Sequence, residues 1–97
     1  MPWPRHRTYP FEEESIRASA PAQSGLYALY TRSRWIYFGE SDDIQGALLA
    51  RLRETGTCIK RCEPDFFACE LCPSIEREAE QKALVEEYHP ECNSRSD

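Results

Sequence analysis

The sequence predicts an α+β domain: one small three-stranded antiparallel sheet flanked by helices. Three observations carry this reading. The stretch Gly25–Gly39 holds two runs of strand-forming residues, Leu26–Tyr30 and Trp35–Phe38, joined by the polar segment Thr31–Arg34, which is the pattern of a hairpin. Ile44, Leu48, Leu49 and Leu52 recur at helical spacing and form one apolar stripe. A third apolar run, Phe66–Cys72, leads into a long acidic helical pattern, Ile75–Tyr88.

Taken in order, residues 1–24 read as an arm and a short helix, 25–93 as the domain, and 94–97 as a tail. The first ten residues are rich in proline and arginine and read as a loose arm, with Trp3 as a docking or packing residue and His6 as part of the arm. Phe11–Ala20 reads as a helix: its acidic first turn complements the helix dipole and Pro21 stops it, with Phe11 and Ile16 as its buried side. Ser41 or Asp42 is the expected N-cap of the helix that follows the hairpin, and Thr55-Gly56-Thr57 its end. Cys58–Asp65 reads as a connection. Ser74 is the expected N-cap of the last helix, which turns Ile75, Ala79, Leu84, Val85 and Tyr88 to the core and its glutamates to solvent. His89-Pro90 ends it, because proline disfavours helix in the residue before it.

Ninety-seven residues suffice for one modest core. With 40% apolar and 30% charged residues the composition is that of a folded domain, and no apolar run approaches the roughly 20 residues that span a bilayer. The N-terminus MPWPRHR lacks the apolar core of a secretory signal, which sets the expectation of a cytoplasmic protein. A formal charge of −5 argues against binding nucleic acid over the whole surface, since such binders draw affinity from Lys and Arg replacing phosphate counterions. It leaves room for a local basic cleft.

Five cysteines, Cys58, Cys62, Cys69, Cys72 and Cys92, make an odd number, and without a secretory signal structural disulfides are not expected. The spacing C-x3-C followed by C-x2-C invites a zinc reading. Cys69 and Cys72 lie on a predicted strand, however, where positions three apart point to opposite faces. Zinc is therefore disfavoured against thiols packed as small apolar side chains.

The two tripeptides Gly25-Leu26-Tyr27 and Tyr37-Phe38-Gly39, the helix opened by Glu40-Ser41-Asp42-Asp43-Ile44, and the ending Leu84–Asn93 together resemble the GIY-YIG nuclease superfamily over about residues 22–93. The resemblance implies a three-stranded antiparallel sheet with flanking helices, and metal-assisted hydrolysis of a DNA phosphodiester. Tyr27 would orient or deprotonate the attacking water, and Tyr37 would hydrogen-bond in the same cleft. An arginine on the first helix would hold the scissile phosphate, whose oxygens a guanidinium matches bidentately. A glutamate on the last helix would hold one Mg²⁺. Asn93 would hydrogen-bond backbone near the C-terminus.

The sequence departs from the family at both helical positions. Eight residues after Gly39, where the resemblance places the arginine, stands Ala47; three before Leu84, where it places the glutamate, stands Gln81. Alanine cannot touch phosphate, and a neutral amide is a poor Mg²⁺ ligand. The substitutes within reach are Arg51, one turn beyond Ala47 on the same face, and Glu78 or Glu80 beside Gln81. Three functions follow: a Mg²⁺-dependent endonuclease, a catalytically impaired DNA-binding relative, and a protein-interaction module using the acidic last helix. Tyr30, Trp35 and His89 read as packing or helix-exit residues.

Overall fold

A computed structural model describes residues 8–93. Trp3, His6 and the tail lie outside the described residues. The elements run β1 (Tyr9–Pro10), α1 (Glu13–Ser19), β2 (Gly25–Tyr30), β3 (Trp35–Ser41), α2 (Ile44–Arg53), α3 (Cys58–Cys62), β4 (Phe66–Leu71) and α4 (Ser74–Tyr88). The sheet is α+β as expected but has four strands rather than three, in the order β1-β4-β2-β3, all antiparallel. The added strand is the end of the supposed arm: Tyr9 and Pro10 pair with Phe67 and Phe66 at the sheet edge, where a proline removes no ladder bond. A two-residue strand is too short to show a period.

β2 is central, and its residues Gly25–Leu29 are buried on both faces. On one face Tyr27 and Leu29 of β2, Ile36 of β3 and Phe67 of β4 pack against Ile16 of α1, Ile44 and Leu48 of α2, and Ile59 of α3. On the other, Leu26, Ala28 and Phe38 pack against Leu84 of α4. The hairpin register slips between Leu29, which faces Tyr37, and Tyr30, which faces Trp35. Ile36 is thus the extra residue of a bulge. Simple alternation would put Ile36 and Tyr37 on opposite faces; the bulge lets both join the helix-rich face while Trp35 and Phe38 share the other.

The tripeptide glycines are where backbones or rings approach most closely. A Cβ on Gly25 would stand 2.2 Å from the Glu70 carbonyl oxygen, and one on Gly39 would stand 2.3 Å from Cζ of Tyr27. Gly39 is the cross-strand partner of Tyr27, so the ring lies over the bare glycine. That is how the Tyr27 hydroxyl reaches the β3 side of the sheet.

Several local expectations are corrected. α2 is capped by Asp43, whose carboxylate accepts from the Gly46 N–H at 3.0 Å, not by Ser41 or Asp42; Ser41 Oγ instead accepts from the Asp43 N–H. Ser74 is the first helical residue of α4 and Pro73 precedes it. The segment read as a connection contains α3, whose N-cap Thr57 accepts from the Lys60 N–H at 3.2 Å. α4 is rotated from the expected face. Ile75 is 89% exposed and Ala79 is exposed, while Arg77, Gln81, Leu84, Val85 and Tyr88 form the stripe that meets the sheet. The polar residues in that stripe find specific partners: Arg77 pairs with Glu40 at 2.8 Å and donates to Ser24 Oγ at 3.0 Å.

Disulfides were not expected, yet Cys58 and Cys92 are bonded, with Cα atoms 5.7 Å apart. Cys69 packs on the helix-rich face and Cys72 on the α4 face, so these two do not converge. Among the described residues no helix is long and apolar enough to cross a membrane.

Candidate functional site

Arg51 is the hub of the polar cluster on the helix-rich face. It lies on α2 one turn after Ala47, which packs against the core beneath it. Its Nε donates to the Tyr27 hydroxyl at 3.2 Å, Nη2 to the Tyr37 hydroxyl at 3.0 Å, and Nη1 to Glu54 Oε2 at 2.9 Å. The guanidinium carbon stands 4.8 Å from the Tyr37 ring centroid, within cation–π range. The two tyrosine rings are 6.0 Å apart. Thr57 Oγ1 donates to Glu54 Oε1 at 3.4 Å and closes the cluster toward α3.

Direction matters here. Arginine has no acceptor, so both tyrosine oxygens accept from Arg51 and both tyrosine protons point elsewhere. The two hydroxyls therefore present donors. Of the five guanidinium N–H groups, the three contacts above use three, leaving two for an incoming oxygen. An opening of about 160 Å³, lined by Tyr37, Arg51, Glu54, Thr57, Cys58, Ile59 and Cys92, adjoins the cluster.

Protonation follows from burial and pairing. Burial pushes the Tyr27 hydroxyl up to about 12, against the pull of the Arg51 hydrogen bond and charge. Burial alone would lower the Arg51 pKa, but the Tyr27 hydrogen bond and the nearby Tyr27, Tyr37 and Glu54 outweigh it and raise it. At neutral pH the site is a neutral tyrosine donor beside a permanent cation. Tyr27 is then suited to orienting an oxygen by hydrogen bonding, not to taking a proton from it.

The last helix does something different. Gln81 Nε2 donates to the Phe38 carbonyl at 2.9 Å. Asn93 donates from Nδ2 to the same carbonyl at 2.8 Å and accepts from the Phe38 N–H through Oδ1, also at 2.8 Å. Together they seal the outer edge of β3. Glu78 and Glu80 are exposed on α4. The carboxylate that joins the tyrosine–arginine cluster is Glu54, which sequence reasoning gives no role. Its signal was the i, i+3 spacing from Arg51.

The donor set does not fit a resident Mg²⁺. That ion is held by one or two carboxylates with hard oxygen geometry. The α4 side chain facing β3 is an amide already bound to backbone, the flanking glutamates are exposed, and Glu54 is committed to Arg51.

No family model and no curated protein matches the chain. Solved structures do. One is the GIY-YIG N-terminal endonuclease domain of UvrC from Thermotoga maritima, as a tyrosine-to-phenylalanine point mutant bound to its catalytic divalent cation; it is 24% identical, with 84% of this chain and 98% of that chain covered and a TM-score of 0.72. The same domain bound to magnesium is 23% identical over 82% and 97%, with a TM-score of 0.70. The order of strands and helices described above is thus a GIY-YIG-like fold.

Proposed function

We propose that this chain binds the phosphodiester backbone of DNA in the cleft formed by Tyr27, Tyr37 and Arg51, and that its metal-dependent hydrolysis is impaired. The observation that carries this reading is the bridging of both tyrosine hydroxyls by Arg51. One cation and the Tyr37 hydroxyl meet at one opening, and the same guanidinium holds the buried Tyr27 hydroxyl behind them, an arrangement that suits the oxygens of a phosphate. Arg51 thereby supplies from one turn further along α2 the charge that Ala47 cannot. The endonuclease likeness favours DNA as the source of that phosphate.

The impairment rests on α4. Where the resemblance places a metal-binding glutamate, Gln81 secures the backbone of Phe38 instead. A carboxylate there could not donate to that carbonyl, so Gln81→Glu is expected to cost about 1 kcal/mol of stability. The decisive assay incubates nicked, branched and single-stranded DNA with the protein and Mg²⁺ or Mn²⁺. The wild type is expected to bind without turnover, and Ala47→Arg with Gln81→Glu to gain nicking. Wild-type nicking that Tyr27→Phe abolishes would contradict the impairment and reinstate the hydrolase.

A second reading has its own observation. Glu76, Glu78, Glu80, Glu86 and Glu87 are all exposed on α4, beside the 89% exposed Ile75. Should no form of DNA bind even at low salt, this face is the surface for a protein partner.

A further inference from the structure

Three sulfurs from two separate segments converge at one wall of the opening beside Arg51. The Sγ atoms of Cys58, Cys62 and Cys92 all lie within 4.8 Å of one another. Cys58 and Cys62 are four apart on α3, so one turn of helix puts both on one face. Cys92 arrives from the segment after α4, whose backbone is fixed independently: the Cys92 N–H donates to the Ile36 carbonyl at 2.8 Å and the Glu91 N–H to that of Trp35 at 3.2 Å. The three side chains are therefore brought together by backbone that does not depend on the disulfide alone.

One of their separations already matches a metal–thiolate site. With zinc–sulfur bonds of about 2.3 Å, the sulfurs of a tetrahedral site stand about 3.8 Å apart. Cys62 Sγ and Cys92 Sγ are 3.8 Å apart in the structure. Two thiols on one helical turn and a third from a distant loop is also a common way to build such a site, and soft thiolates select zinc over Mg²⁺. We propose that, once the Cys58–Cys92 bond is reduced, Cys58, Cys62 and Cys92 hold one zinc ion, with solvent from the adjoining opening in the fourth position. The disulfide and the zinc site are alternative states of the same sulfurs. Because Cys58 follows Thr57, the N-cap of α3 that donates to Glu54, the ion would pin the helix that borders the Arg51 cluster. Cys69 and Cys72, on opposite faces of the sheet, take no part.

The test uses the full chain, reduced without oxygen by a water-soluble phosphine. That step breaks the S–S bond, delivers two electrons to the sulfurs, and with water leaves two thiols and a phosphine oxide. Titration with Co²⁺ as spectroscopic probe should show one equivalent bound, with a thiolate-to-cobalt charge-transfer band that Zn²⁺ removes and Mg²⁺ does not. Cys62→Ser, which leaves the disulfide pair intact, should weaken binding by more than roughly 100-fold, beyond what loss of an outer partner costs. Cys69→Ser and Cys72→Ser should bind as the wild type does. Zn²⁺ should raise the melting temperature of the reduced protein, or restore its circular dichroism if reduction unfolds it. Absence of uptake by the reduced chain, equal uptake by Cys62→Ser, equal uptake by the oxidised chain, or no thermal or spectral response to Zn²⁺ would each overturn the proposal.

Discussion

Tyr37 and Phe38 are neighbours in β3, yet they belong to regions of opposite kind. The Tyr37 side chain enters a polar cluster centred on the Arg51 guanidinium, beside an opening. The Phe38 side chain is fully buried among Trp35 and Tyr88, with ring centroids 5.0 and 5.4 Å away, and its backbone is closed by Gln81 and Asn93. One side of the strand is left open and the other is locked. What the contrast teaches is where the last helix has gone: α4 stabilises the strand from the locked side, and the charge for the open side comes wholly from α2. The strand is thus divided into a side held closed by α4 and a side whose polar groups face an opening.

The largest effect expected from this division is on the locked side. Phe38→Ala removes a buried aromatic from a tight cluster and should cost about 3–5 kcal/mol. Chemical denaturation measures it. The folded fraction of that variant should bind DNA as the wild type does; a binding defect beyond the unfolded fraction would mean the two regions are not separable.

Next in size is the response of the open side to alkali. Folded Tyr27 titrates near 12, whereas an exposed tyrosine titrates near 10. Between those values the unfolded chain sheds a proton that the folded chain keeps. The contribution is therefore intact below about pH 10 and is lost as pH rises toward about 12, by roughly 2–3 kcal/mol. Denaturation curves across that window should fall more steeply for wild type than for Tyr27→Phe. Parallel curves would place the tyrosine in a more solvated setting than the structure does.

The smallest effect concerns Glu54, which holds Arg51 but repels any phosphate that approaches it. Glu54→Gln keeps the shape and removes the charge. It should tighten DNA binding by roughly two- to fivefold, the range of partly exposed charge pairs. Fluorescence anisotropy at fixed salt reads this directly. Weaker binding would show that Glu54 matters more for positioning Arg51 than against the anion.

Much of this arrangement is legible in the residues, for reasons that also explain what is not. Tyr27 and Tyr37 stand beside glycines in two strand-like runs, and a close approach over Gly39 explains why that letter is there. Ile44, Leu48 and Leu49 declare α2 by spacing, and the same face points from Ala47 to Arg51. The sheet-facing side of α4 is not legible in the sequence because its stripe begins with Arg77 and Gln81, polar residues whose partners Glu40, Ser24 and the Phe38 carbonyl are set by tertiary structure. The bulge at Ile36 leaves no periodic signal. The pairing of Cys58 with Cys92 joins residues 34 apart, and spacing alone does not select it among five cysteines.

Arg51 is the cation proposed to meet phosphate. The most direct test of that role is the salt dependence of DNA affinity for wild type and Arg51→Ala without divalent metal. Arg51→Ala should weaken binding by roughly tenfold or more and lower the slope of log affinity against log salt by about 1. An Arg51→Ala protein with unchanged affinity and unchanged slope would show that DNA, if it binds, does so elsewhere, and would contradict the assignment of the cleft.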